Sequence, residues 1–145
     1  MTQLGYDILW WIVGLLSGAA YLRYARLGSW RRERWNYAFG LVVAAAIYLI
    51  FAVVWGDGRW LLVETAGLVV YGAFAWLGMR HSVAWLAFGW ATHSLWDTML
   101  HLWGPGAHVA PRWYAIACLA FDVLVAGYIL WRLRRWPDEK KPGHA

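Results

Sequence analysis

Charge is what this chain has least of. Only 14% of its 145 residues are Asp, Glu, Lys or Arg, and 62% are apolar, whereas a soluble domain carries about 25% charged residues. A soluble fold has nowhere to put that much apolar surface, and the mean hydropathy of +0.44 points the same way. Cysteine is scarcer still. Cys118 stands alone, so an internal disulfide is excluded and nothing follows about redox compartment. The first apolar run lacks a basic leading segment and a small-residue cleavage site, so a retained span is expected there and not a secretory signal. No internal repeat of the kind that builds alternating-access carriers is evident.

What is present is a series of apolar runs, at about 6–24, 35–55, 60–79, 83–103 and 113–133. Each approximates the ~20 residues that cross ~30 Å of hydrocarbon. In that medium a backbone must satisfy its own hydrogen bonds, so all five are expected to be helical. The expected fold class is all-α: a polytopic bundle of five transmembrane helices in one domain, 1–135, followed by a flexible basic cytoplasmic tail, 136–145. The connections are short, and residues 23–34 form an arginine-rich loop. With the N-terminus out and the C-terminus in, eleven of the thirteen Lys and Arg fall inside, leaving Arg59 and Arg112 outside. The positive-inside rule favours that arrangement. Twelve of the fourteen tryptophans lie near a span end, where amphipathic rings sit among headgroups. Trp90 and Trp96 are the exceptions. The net charge of +5 is accounted for by orientation and contact with anionic lipid. The expected partners are membrane lipids and not nucleic acid, with a homo-oligomer or larger membrane complex left open. The expected location is the cell membrane, as a multi-pass protein of a bacterial inner membrane.

The fourth run carries His93, Asp97 and His101 at four-residue intervals, one stripe of an α-helix. Ionisable groups in hydrocarbon are costly and tend to face the bundle interior. Glu64 lies about one turn below the outer surface, and Asp122 lies ~13–15 Å in, level with His93. Three helices thus deliver Glu64, His93, Asp97, His101 and Asp122 to the outer half of one bundle, as a column graded from surface to midplane. Helix-to-helix hydrogen bonding at ~0.6–2 kcal/mol each would explain a pair of such groups; five at matched depths point to a site. Asp7 and Asp57 are expected to be solvated. Cys118 reads as a small packing residue, and Gly14 with Gly18 makes a GxxxG of low specificity.

Three chemistries fit the spacing. Histidine with carboxylate suits zinc or iron. His93 and Asp97 completed by Asp122 could hold one ion, and Asp97 and His101 completed by Glu64 a second nearer the surface, with Asp97 bridging. A metal-free alternative is an isoprenoid cyclase or isomerase, in which a carboxyl kept neutral by desolvation protonates an alkene or epoxide and Trp90 and Trp96 line the substrate pocket and stabilise a cation. The non-enzyme alternative is an accessory subunit or proton-coupled carrier, since Asp, His and Glu can relay protons. The metal-dependent membrane enzyme leads. Its substrate would be lipidic or small and apolar, its metal ligands His93, Asp97, His101 and Asp122, and its catalytic groups Glu64 and Asp97.

Trp90, His93, Trp96, Asp97, His101, Leu102 and Gly104 match a pattern W-x-x-H-x-x-W-D-x-x-H-H-L-x-G. In this the chain resembles the DUF6010 group of small bacterial membrane proteins over roughly residues 60–126. Glu64, and Cys118 with Asp122, resemble that group's acidic and Cys/Asp features. Leu100 stands where the pattern has the first histidine of a doublet, which favours one metal or none. The resemblance implies that the polar column is a shared feature, and it implies no activity.

Overall fold

The computed structural model describes residues 2–133 and 135; the expected flexible tail, 136–145, lies outside them. The described residues form an all-α structure of five helices and no strand: α1 (Gln3–Ala25), α2 (Trp30–Trp55), α3 (Gly58–Arg80), α4 (Ala84–Trp96) and α5 (Arg112–Leu133). Side-chain oxygens start three of them by accepting otherwise unpaired amides of the first turn. Thr2 Oγ1 accepts from Gly5 N at 3.2 Å, Ser29 Oγ from Arg32 N at 3.4 Å, and Asp57 Oδ1 from Arg59 N and Trp60 N at 2.9 and 3.1 Å. Asp57 is therefore a helix cap and more than a solvated turn residue.

α1, α2, α3 and α5 are each long and apolar enough to cross a membrane. Their outward faces carry Val53, Leu62 and Val69, all more than two-thirds exposed, where a soluble bundle would place charge. Two expectations need correction. The arginine-rich segment 23–34 is mostly helix, because α1 runs to Ala25 and α2 begins at Trp30. The fourth run is also not one α-helix. α4 has 13 residues, too few to cross alone, and continues as a π-helical segment, Asp97–Leu102. In that segment Trp103 N donates to Thr98 O, five residues back, at 3.0 Å. The residues ahead of it explain the loosening. Thr92, Ser94 and Thr98 each turn a hydroxyl onto a carbonyl three or four residues earlier, competition that weakens and bends helices.

Ion pairs identify the two ends of the bundle. Arg112 Nη2 meets Asp7 Oδ2 at 2.8 Å, so the starts of α1 and α5 share one end and Asp7 is paired. At the other end Glu33, 1% exposed, accepts from Arg132 Nη2 at 2.9 Å and from Tyr37 Oη at 3.0 Å. Arg34 Nε donates to Gly78 O at 2.6 Å, tying α2 to α3.

α1 packs chiefly on α5, α2 on α3, and α4 on α5, while α1 and α2 touch sparsely. The α1–α5 seam uses the GxxxG. Gly14 and Gly18 are buried, and a Cβ on Gly14 would overlap the carbonyl oxygen of Ala117. Small residues let backbones approach this closely, and dispersion then holds them. Gly14→Val is accordingly expected to lower stability by about 1–3 kcal/mol, as overpacking does. Gly72→Ala, where an added Cβ meets nothing within 4 Å, should leave the thermal midpoint in detergent unchanged or slightly raised.

Candidate metal centre

His93, Asp97, His101, Glu64 and Asp122 are all at most 2% exposed. The structure brings them into one interior from α3, α4 with its π segment, and α5, but as two groups and not one continuous column. The inner group is His93, Asp97 and Asp122. Nδ1 of His93 lies 2.7 Å from Asp122 Oδ2 and 3.6 Å from Asp97 Oδ1. The outer group is a pair, with His101 Nε2 3.1 Å from Glu64 Oε1.

The π segment makes this division. In an α-helix, a residue four positions on overshoots a full turn by ~40°; in the wider i→i+5 coil it falls short of a turn. His101 is thereby directed to Glu64 of α3 while Asp97 stays with His93. The expected second set, Asp97 with His101 and Glu64, does not assemble as a three-donor group, whereas His93, Asp97 and Asp122 offer ligand atoms all within 4.8 Å of one another.

The outer pair is held from three sides. Trp96 Nε1 donates to Glu64 Oε2 at 3.2 Å, and a close approach at Gly67 makes room for the indole, since an added Cβ there would lie 3.0 Å from it. His101 Nδ1 lies 3.2 Å from Gly106 O. Because a carbonyl only accepts, the proton is assigned to Nδ1. Nε2 then turns its lone pair toward Glu64 Oε1, and neither atom has an aligned hydrogen-bond partner. Two acceptors 3.1 Å apart require a proton or a cation between them.

Orphaned polar atoms recur in the inner group. His93 Nε2 and both oxygens of Asp97 are buried without a hydrogen-bond partner, although buried polar groups are rarely left so. The three donors suit one ion. Two ligands at ~2.1 Å and a tetrahedral angle stand about 3.4 Å apart, and the observed 2.7 and 3.6 Å bracket that spacing.

Aromatic rings wall the two groups. Tyr48 of α2 stacks on His101 at 4.4 Å and lies 5.8 Å from His93, while Tyr71 of α3 presents its edge to His93 at 4.7 Å. The Tyr48 hydroxyl is buried and faces Asp97. Sequence reasoning passed over both tyrosines. The available signal was position: each falls mid-run, away from the span ends where interfacial tyrosine belongs.

The two tryptophans expected in a pocket part company. Trp90 is buried, donates from Nε1 to Tyr37 O at 3.2 Å, and lines an apolar cleft of about 410 Å³ between α1, α2 and α5. Trp96 is not among the residues lining that cleft; it serves Glu64 on the α3 side. Cys118 and Asp122 do line it, so Cys118 borders a cavity in addition to packing.

No protein-family model, curated protein or solved structure matches this chain.

The division into two groups has a thermodynamic signature. Removing one partner of a buried pair strands the other, so Glu64→Ala and His101→Ala should each lower the thermal midpoint clearly. The double variant should lose less than their sum, with a coupling of about 0.5–3 kcal/mol. Glu64→Ala combined with Asp122→Ala should be closer to additive.

Proposed function

We propose that this is a metal-dependent membrane enzyme in which His93, Asp97 and Asp122 hold one divalent transition-metal ion. The observation that carries the reading is the inner group itself: three fully buried donors from α4 with its π segment and from α5, with His93 Nδ1 at 2.7 and 3.6 Å from the two carboxylates and ligand atoms all within 4.8 Å of one another. One nitrogen and two oxygens suit zinc or iron, and the donor set does not choose between them. A bound ion would supply a Lewis acid or an activated water in an apolar interior.

In this reading Glu64 and His101 store and pass a proton on the outer side of the metal. Trp96 orients the carboxylate and Gly106 O sets the imidazole tautomer. Tyr48 spans the two groups and can carry a proton between them. The chain crosses the membrane five times, N-terminus out and C-terminus in, as its arginine distribution favours. The fourth crossing is made by α4 and the π segment together, 19 residues and ~28 Å of rise at α-helical pitch. Membrane lipid is its surrounding partner. The motif resemblance around His93 and Asp97 agrees with a site there and supplies no reaction.

One observation favours a second reading. His93 Nδ1 and Asp122 Oδ2 are at hydrogen-bond distance, 2.7 Å, so the pair can hold a proton in place of a metal and serve acid–base chemistry alone.

Elemental analysis separates the two. Detergent-purified protein should carry zinc or iron at close to one ion per chain. His93→Ala and Asp122→Asn should each reduce that content by about tenfold or more, since each removes a ligand outright, while His101→Ala should retain it. Wild-type protein that carries no metal and does not regain it on addition overturns the metal reading in favour of the acid–base one.

A further inference from the structure

The cleft beside the inner group says what kind of molecule reaches it. Its rim is formed by Val13 and Ser17 of α1 and Val43 of α2, exposed at mid-helix, at the depth of the hydrocarbon and not of the headgroups. It opens there because α1 adheres to α5 through Gly14 and meets α2 chiefly at one end of the cleft, where the Tyr21 hydroxyl donates to Asn36 O at 2.6 Å. Its floor is formed by Trp90, Cys118 and Asp122. Measured along α1, the lining runs from Trp10 to Tyr21, a length of ~16 Å at α-helical rise. The volume of about 410 Å³ lies in the range of small-molecule sites, about 300–1,000 Å³.

The lining also has a definite charge. Neither arginine nor lysine is among its residues, and no histidine is either; the one ionisable carboxyl is Asp122, 1% exposed and bonded to His93. Phosphate and carboxylate groups are recognised by arginine, lysine or clustered backbone amides, and none of the side chains here would receive one. An anionic head would instead face Asp122. Six aromatic rings, Trp10, Tyr21, Trp90, Trp113, Tyr114 and Phe121, supply flat, largely apolar walls. An apolar cleft in which the Ser17 and Tyr21 hydroxyls already donate to Gly14 O and Asn36 O and Asp122 is the one carboxyl suits an extended, largely apolar chain carrying a hydrogen-bonding function.

We infer that the cleft admits an uncharged long-chain lipid sideways from the bilayer, and that Asp122 receives its single polar group at the floor, beside the inner His/Asp group. As the substrate class of the proposed enzyme, this rests on the metal reading; as a binding site, it stands without it.

The test uses full-length protein in detergent micelles, a photoreactive diazirine analogue of farnesol, and peptide mass spectrometry to locate the adducts. Labelling should concentrate on cleft residues of α1, α2 and α5. Excess farnesol should reduce it roughly tenfold, the ratio expected when a competitor prevails by about 1.4 kcal/mol, while farnesyl diphosphate and palmitate at equal concentration should not. Ser17→Phe, and independently Val43→Phe from the opposite rim, should abolish cleft labelling and leave metal content at the wild-type level. Asp122→Asn should lose metal yet still label in the cleft. Adducts spread evenly over the lipid-facing surface, displacement by the diphosphate as good as by the alcohol, or labelling unmoved by both filling variants would each overturn the inference. Cleft labelling in a wild-type protein without metal would sink the metal reading and leave the site standing.

Discussion

Much of this bundle is arranged around the burial of five ionisable side chains, Glu64, His93, Asp97, His101 and Asp122, well away from the end where Glu33 and Arg34 are buried as well. A carboxylate or imidazole removed from water must find a partner inside the bundle, and the partner must come from another helix or another turn of its own. That demand selects the pairings: His93 with Asp122 across α4 and α5, His101 with Glu64 across the π segment and α3, and Trp96 as the donor that completes Glu64. The same demand is less fully met at Asp97, which faces the Tyr48 hydroxyl, and at the Nε2 edge of His93. An interior with such loosely satisfied groups is suited to receive an ion, a proton or a ligand.

The π segment separates two groups of partners within one stripe of residues. Had α4 continued unchanged, His93, Asp97 and His101 would have shared a face and competed for the same partners. The looser coil from Asp97 onward sends His101 to α3 and keeps Asp97 at the inner group. A fully buried three-donor set and a proton-holding pair result, a short distance apart and connected by Tyr48. Local irregularity of this kind is frequent where helices carry function, and its origin here lies in the hydroxyls that compete for backbone carbonyls just before it.

The loose association of α1 with α2 has a related effect. Because α1 is held by the close Gly14 crossing on α5, the side of the bundle next to Asp122 is unsealed. The inner group is closed to the outer surface by Trp60, Tyr48 and the turn around Gly106, yet it is bordered by an apolar cleft at mid-depth. One small-residue contact thus governs both how firmly the first helix is held and from which side the site can be approached.

Much of this was legible from residues alone. The scarcity of charge and the lengths of the apolar runs pointed to helices able to cross a membrane, because hydrocarbon offers a backbone no other way to pair, and four helices of that length and hydropathy are present. Ionisable groups inside those runs marked Glu64, His93, Asp97, His101 and Asp122, because such groups are too costly to turn to lipid. The depth argument that set Asp122 level with His93 needed only rise per residue. Partner choice was not legible, nor was the division of the column, the different employment of Trp90 and Trp96, or the part taken by Tyr48 and Tyr71. Helices that are apolar on every side carry little periodic signal of which face turns inward, so the azimuth of each, and the local unwinding that shifts it, is decided only when neighbouring helices pack. Sequence by itself therefore determined that the ionisable groups inside the apolar runs are buried, and how deep; tertiary structure decided which of them meet, and that Glu33 and Arg34 of the arginine-rich segment are buried too, because that depends on rotations about helix axes that a repeat of 3.6 residues in an all-apolar segment does not encode.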